Sequence, residues 1–116
     1  MMKKILLPAL LLSILASPAF AAGNVEAGKA VAEKNNCASC HGKDFSSPID
    51  PNYPKLAGQH ADYIAEALKA YQRGTDGPNG RGNAIMGAQA KALSNTDIQD
   101  VAAYLHSLPG SLVLKK

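Results

Sequence analysis

At 116 residues the chain has the length of one small domain. Its formal charge of +3 falls to +1 once Lys3 and Lys4 are set aside with a leader, so no basic stripe exists to neutralise nucleic-acid phosphates. Aromatics are scarce, with no Trp and only Phe45, Tyr53, Tyr63, Tyr71 and Tyr104 beyond the leader, so the amino acids alone make a marginal core.

In chain order, Met1-Met2-Lys3-Lys4 forms a short basic segment and residues 5–16 an apolar one. Pro18-Ala19-Phe20-Ala21 then puts small residues where a signal peptidase reads. Residues 1–21 are predicted to be a cleaved export signal, with cleavage after Ala22 as the alternative, leaving a domain of residues 22–116. The rival is a retained membrane anchor. Against it, the apolar run is shorter than the ~20 residues a span requires, and Pro8 interrupts it. No later stretch approaches that length, so no span is expected in the mature chain. Export implies a periplasmic location.

The first predicted helix covers residues 25–35, with Asn24 as N-cap and Glu26 in the first turn. The second covers 61–73, where Tyr63, Ile64, Ala67, Leu68 and Tyr71 recur at helical spacing. Gly74 is expected to close it in the left-handed conformation. A short helical turn is expected at 88–93. The last helix covers 96–108, opened by a Ser94/Asp97 capping box and stopped by Pro109-Gly110, with Ile98, Val101, Ala102 and Leu105 as its buried stripe. Two Gly- and Pro-rich segments, 42–58 and 74–87, separate these helices. No run alternates with period two, so the fold class is all-α. Long loops in so small a domain need something to wrap around.

Cys37-Ala38-Ser39-Cys40-His41 is the pattern C-x-x-C-H, which reads as covalent attachment of one haem c. Two thiols at this spacing reach the two vinyl groups on one edge of a porphyrin, and His41 turns under the ring to the iron. Three other readings compete. A Cys37–Cys40 disulfide suits an oxidising compartment but leaves His41 without a role. A thioredoxin-like pair needs a βαβ context that this sequence lacks. A structural zinc site needs four ligands, and the only further histidines are His60 and His106.

The second axial position decides between electron transfer and ligand chemistry. Met86 is the only methionine beyond Met1 and Met2, and it lies in the polar, glycine-flanked run Arg81-Gly82-Asn83-Ala84-Ile85-Met86-Gly87. That placement in a loop favours a His41/Met86 iron site of raised potential over a methionine that merely fills a core gap. His60 and His106 are rivals for the same position. The first reads otherwise as a surface residue, and the second as a cation suited to a helix C-terminus.

With these motifs in order, the sequence resembles the class I c-type cytochromes, in particular one half of the dihaem periplasmic cytochromes. The resemblance spans essentially all of residues 22–116, and Tyr53-Pro54-Lys55-Leu56-Ala57-Gly58-Gln59-His60 is its most telling run outside the haem motif. It implies the cytochrome c fold, three main helices and loops wrapped around one haem. It also implies that the Pro54 carbonyl accepts from Nδ1–H of His41, holding the tautomer with Nε2 free for iron. Asn83 to Met86 resembles the axial-methionine segment, and Arg81 and Asn83 are implied partners of the propionates or of the loop. The first and last helices are expected to cross nearly at right angles, with Gly28 permitting the approach. Tyr104 matches the aromatic of the last helix, while Ala32 stands where many members carry its aromatic partner. One C-x-x-C-H means one haem in this chain.

The function implied is Fe(II)/Fe(III) electron shuttling to redox partner proteins such as respiratory-chain donors and terminal oxidases or reductases, not catalysis. Leu56, Ile64, Leu68, Ile85, Leu93, Val101 and Leu105 are the expected apolar wrap, and Lys43, Lys55 and Lys91 the expected steering charges. A haem enzyme or gas-binding protein, in which Met86 leaves the iron, is the reading from another class. An electron-donor subunit of a larger oxidoreductase is a third.

Overall fold

The computed structural model describes Lys4 and residues 23–111, so the predicted export signal, Lys4 apart, falls outside the described residues. Among the described residues all regular structure is helical: α1 Val25–Lys34, α2 Ala38–His41, α3 Ala61–Arg73, α4 Ala84–Lys91 and α5 Asn95–Ser107. The all-α expectation holds.

Local chemistry sets the ends. Asn24 caps α1 by accepting the N–H of Ala27 at 2.9 Å, satisfying one of the donors a helix start leaves open. Asn35 is the C-cap of α1 and not its last turn. At α5 the capping box forms in full. Ser94 Oγ takes the N–H of Asp97 and Asp97 Oδ2 takes the N–H of Ser94, both at 3.0 Å. The box starts α5 one residue earlier than predicted, and Leu108 closes it. Gly74 ends α3 at φ 64° and ψ −164°. The φ is positive as expected, but the extended ψ turns the chain away and is not the left-handed helical well.

Two elements depart from the sequence reading. The haem motif itself folds as a helical turn, α2. The turn expected at 88–93 is a full helix that starts at Ala84, because Asn83 Oδ1 accepts the N–H groups of Ile85 and Met86 at 3.0 and 2.9 Å. Met86 therefore stands in the first turn of α4 and not in a loop.

The core sits where α5 meets α1 and α3. Ile98, Val101, Ala102 and Leu105 are all buried, and Ile98 is fully so. On α1 the matching surface is Gly28 and Ala32. A Cβ on Gly28 would run into the carbonyl of Asp100 and the Cβ of Tyr104, so only glycine lets the two helices approach this closely. Tyr104 finds its aromatic partner outside α1. Phe45, buried in the loop after α2, meets it edge to face with centroids 6.0 Å apart, a favoured aromatic geometry. Phe45 holds φ 56°. Its carbonyl accepts the N–H groups of Leu56 and Ala57 at 2.8 and 3.0 Å, two bonds that fix this uncommon backbone.

Candidate functional site

The short α2 brings the motif together. The N–H of His41 bonds the carbonyl of Cys37 at 3.1 Å, so Cys37, Cys40 and His41 fall on one side of a single turn. Both cysteines are free thiols, and burial pushes the Cys37 thiol above its ordinary value, keeping it protonated.

The His41 side chain is nearly buried, at 6% exposure. Its Nδ1 lies 2.9 Å from the carbonyl oxygen of Pro54. A carbonyl only accepts, so Nδ1 carries the hydrogen and Nε2 keeps its lone pair. Tyr53 packs against the same ring, centroids 6.4 Å apart.

These groups open onto one cavity of about 570 Å³, lined by Cys37, Cys40, His41 and Met86 together with all seven residues expected as the apolar wrap. Its size lies within the range of small-molecule and cofactor sites. On α3, Ile64, Ala67, Leu68 and Tyr71 line it at helical spacing. Ile85 stands at the rim, 56% exposed, and contributes an edge more than a wall. Gln72, which sequence reasoning missed, donates from Nε2 to the carbonyls of Ala90 and Leu93 at 2.8 and 2.9 Å. It thereby fixes the end of α4 to α3.

Arg81 and Asn83 also line the cavity. Asn83 acts as the N-cap of α4. The Arg81 guanidinium bonds Tyr63 Oη at 3.2 Å and lies over the rings of Tyr63 and Tyr71, 5.6 and 5.7 Å from their centroids. These contacts favour the cation and raise its pKa further, the hydrogen bond to Tyr63 most. His60 and His106 do not line the cavity; they are exposed and face each other. Of the three lysines, only Lys55 borders the opening.

A thiol pair on one helical turn, an imidazole fixed with its lone pair free, and an apolar cavity large enough for a macrocycle fit a covalently tethered haem. The class defined is a helical haem protein.

Comparison with known proteins agrees. The family described as Cytochrome c matches residues 25–109. Cytochrome c4 of Stutzerimonas stutzeri is 38% identical over 115 residues, covering 96% of this chain and 53% of that protein. Cytochrome c-554(548) of Halomonas halodenitrificans is 41% identical over 87 residues, covering 74% of this chain and 98% of that one. The crystal structure of reduced cytochrome c4 from Pseudomonas stutzeri superposes with a TM-score of 0.68 at 37% identity, over 78% of this chain and 48% of that chain. The chain thus spans about half the length of the cytochromes c4 it matches. It belongs to the cytochrome c family, has the cytochrome c fold, and carries one haem c on its Cys37-x-x-Cys40-His41 motif.

Proposed function

We propose that this chain is a single-electron carrier of the periplasm, exported by residues 1–21, with His41 and Met86 as the two axial ligands of its haem iron. The observation that carries the reading is the convergence of both thiols, the oriented His41 and Met86 on one apolar cavity. When bound, haem supplies a reversible Fe(II)/Fe(III) couple. The protein supplies the rest. Cys37 and Cys40 tether the ring against loss. The Pro54 carbonyl fixes the His41 tautomer and makes the imidazole a better donor. Met86, held by the Asn83 cap, offers a neutral thioether. The apolar walls exclude water and favour the less charged ferrous state, and the Arg81 cation at the cavity edge acts in the same direction. The exposed Lys55 beside the opening supports docking with redox proteins of complementary charge.

No helix among the described residues is long and apolar enough to cross a membrane.

The test is the visible spectrum of the matured holoprotein in both redox states. A c-type spectrum with the weak far-red band of a methionine–Fe(III) bond, abolished in Met86→Ala, is expected. A c-type spectrum without that band, shifted by carbon monoxide in the unmutated protein, would replace the carrier by a gas-binding or catalytic haem protein.

A further inference from the structure

The two histidines left out of the cavity are held together by the fold. His60 is the N-cap residue of α3 and His106 lies in the last turn of α5. Their rings lie 6.4 Å apart at 23°, and both side chains are exposed.

The backbone around them is fastened at several points. The N–H of Gly58 bonds the carbonyl of Leu105 at 2.9 Å. Gly58 also approaches Gly110 so closely that a Cβ there would lie 2.8 Å from its Cα. His106 Nδ1 lies 2.9 Å from the carbonyl oxygen of Gln59. That carbonyl only accepts, so the His106 hydrogen sits on Nδ1 and the Nε2 lone pair is free. A ligating histidine is ordinarily oriented in this way, by a backbone carbonyl on its other nitrogen. The His60 ring makes no hydrogen bond among the described residues.

We propose that His60 and His106 form a two-imidazole surface site for a borderline divalent cation of the Zn(II) class, outside the haem cavity. Imidazole nitrogens suit such cations. Two Zn–N bonds of about 2.0–2.1 Å at a tetrahedral angle put ring centroids roughly 5 Å apart. His60 therefore swings inward by roughly 1 Å, which an exposed, unbonded ring does at little cost. Among the described residues no group of three or more His, Cys, Asp or Glu is placed to hold a metal, so water fills the remaining positions. The C-terminus of α5 favours a cation at His106 and the N-terminus of α3 opposes one at His60, which leaves the imidazoles to set the affinity.

The experiment titrates Zn2+ into chelator-treated, haem-loaded protein by calorimetry and follows the thermal midpoint with and without the ion. One equivalent is expected to bind and to raise the midpoint. His60→Gln and His106→Gln are each expected to weaken binding at least about tenfold and to abolish the shift. Because the His60 ring makes no hydrogen bond among the described residues, its variant separates loss of a ligand from loss of structure. Absence of binding, or binding that survives His60→Gln, would overturn the site.

Discussion

Asn83 Oδ1 accepts the backbone N–H of Met86 at 2.9 Å, so the residue that starts α4 also fixes the proposed iron ligand. Asn83→Ala removes a cap worth about 1 kcal/mol. The first turn of α4 then opens roughly fivefold more often. Added imidazole is expected to displace Met86 at correspondingly lower concentration, read as bleaching of the far-red band of the ferric protein. Unchanged displacement would mean that Asn83 does not hold the ligand in place.

Two helical glycines should respond to alanine with opposite signs. Gly28 faces the backbone of Asp100 and the Cβ of Tyr104, neither of which can move aside without shifting α5. Gly28→Ala is expected to destabilise by about 1–3 kcal/mol, as overpacking does. At Gly87 the nearest atom to an added Cβ is the Tyr71 carbonyl oxygen, at an ordinary 3.8 Å. Gly87→Ala inside α4 should stabilise by roughly 0.5–1 kcal/mol through backbone entropy alone. Denaturant midpoints of the two holoproteins decide the matter, and equal effects would contradict the packing.

This contrast also marks what sequence can reveal. The stripe Ile98, Val101, Ala102 and Leu105 and the Ser94/Asp97 box are periodic and local signals, and both appear in the fold. The Gly28 contact with the last helix, implied by family resemblance alone, is also present. The His41–Pro54 hydrogen bond was implied by family resemblance and is present at 2.9 Å. The start of α4 is not legible from periodicity, because Ala84, Met86, Gly87 and Ala88 form no apolar stripe; the Asn83 cap that sets it is a finding of the structure. Phe45 as the partner of Tyr104 was out of reach. The contact joins a loop to the last helix, far apart in sequence, and it depends on a positive φ at a residue type that rarely adopts one.

The loop that positions Phe45 carries a pH dependence. The Asp44 carboxylate is held below the ordinary 3.8, chiefly by the backbone N–H of Ser46 and then by the hydroxyl and N–H of Ser47. Oδ1 accepts both N–H groups at 2.9 Å and Oδ2 the hydroxyl at 3.1 Å. A folded pKa below the unfolded one means that the carboxylate stabilises fully above the unfolded value. That contribution fades as the pH falls through the lower folded value. Asp44→Asn should therefore be less stable than the parent near neutral pH, and the gap should close in acid. A gap independent of pH would assign the effect to the side chain's shape and not to its charge.

Folding itself should depend on the cofactor. Among the described residues five of the ten buried hydrophobic residues are alanines, Ala32, Ala65, Ala70, Ala90 and Ala102, so the side-chain core is thin beside a cavity of about 570 Å³. Packing the apolar side chains that line it, Leu56, Ile64, Leu68 and Val101 among them, against the macrocycle supplies burial that the chain alone lacks. Replacing both Cys37 and Cys40 by Ala removes the covalent tether, and in export-dependent expression the chain is expected to appear unfolded by circular dichroism and to be degraded. Recovery of a helical, protease-resistant, haem-free chain at normal yield would show that the helices pack without the macrocycle, by collapse of α3 and α4 into the space it fills.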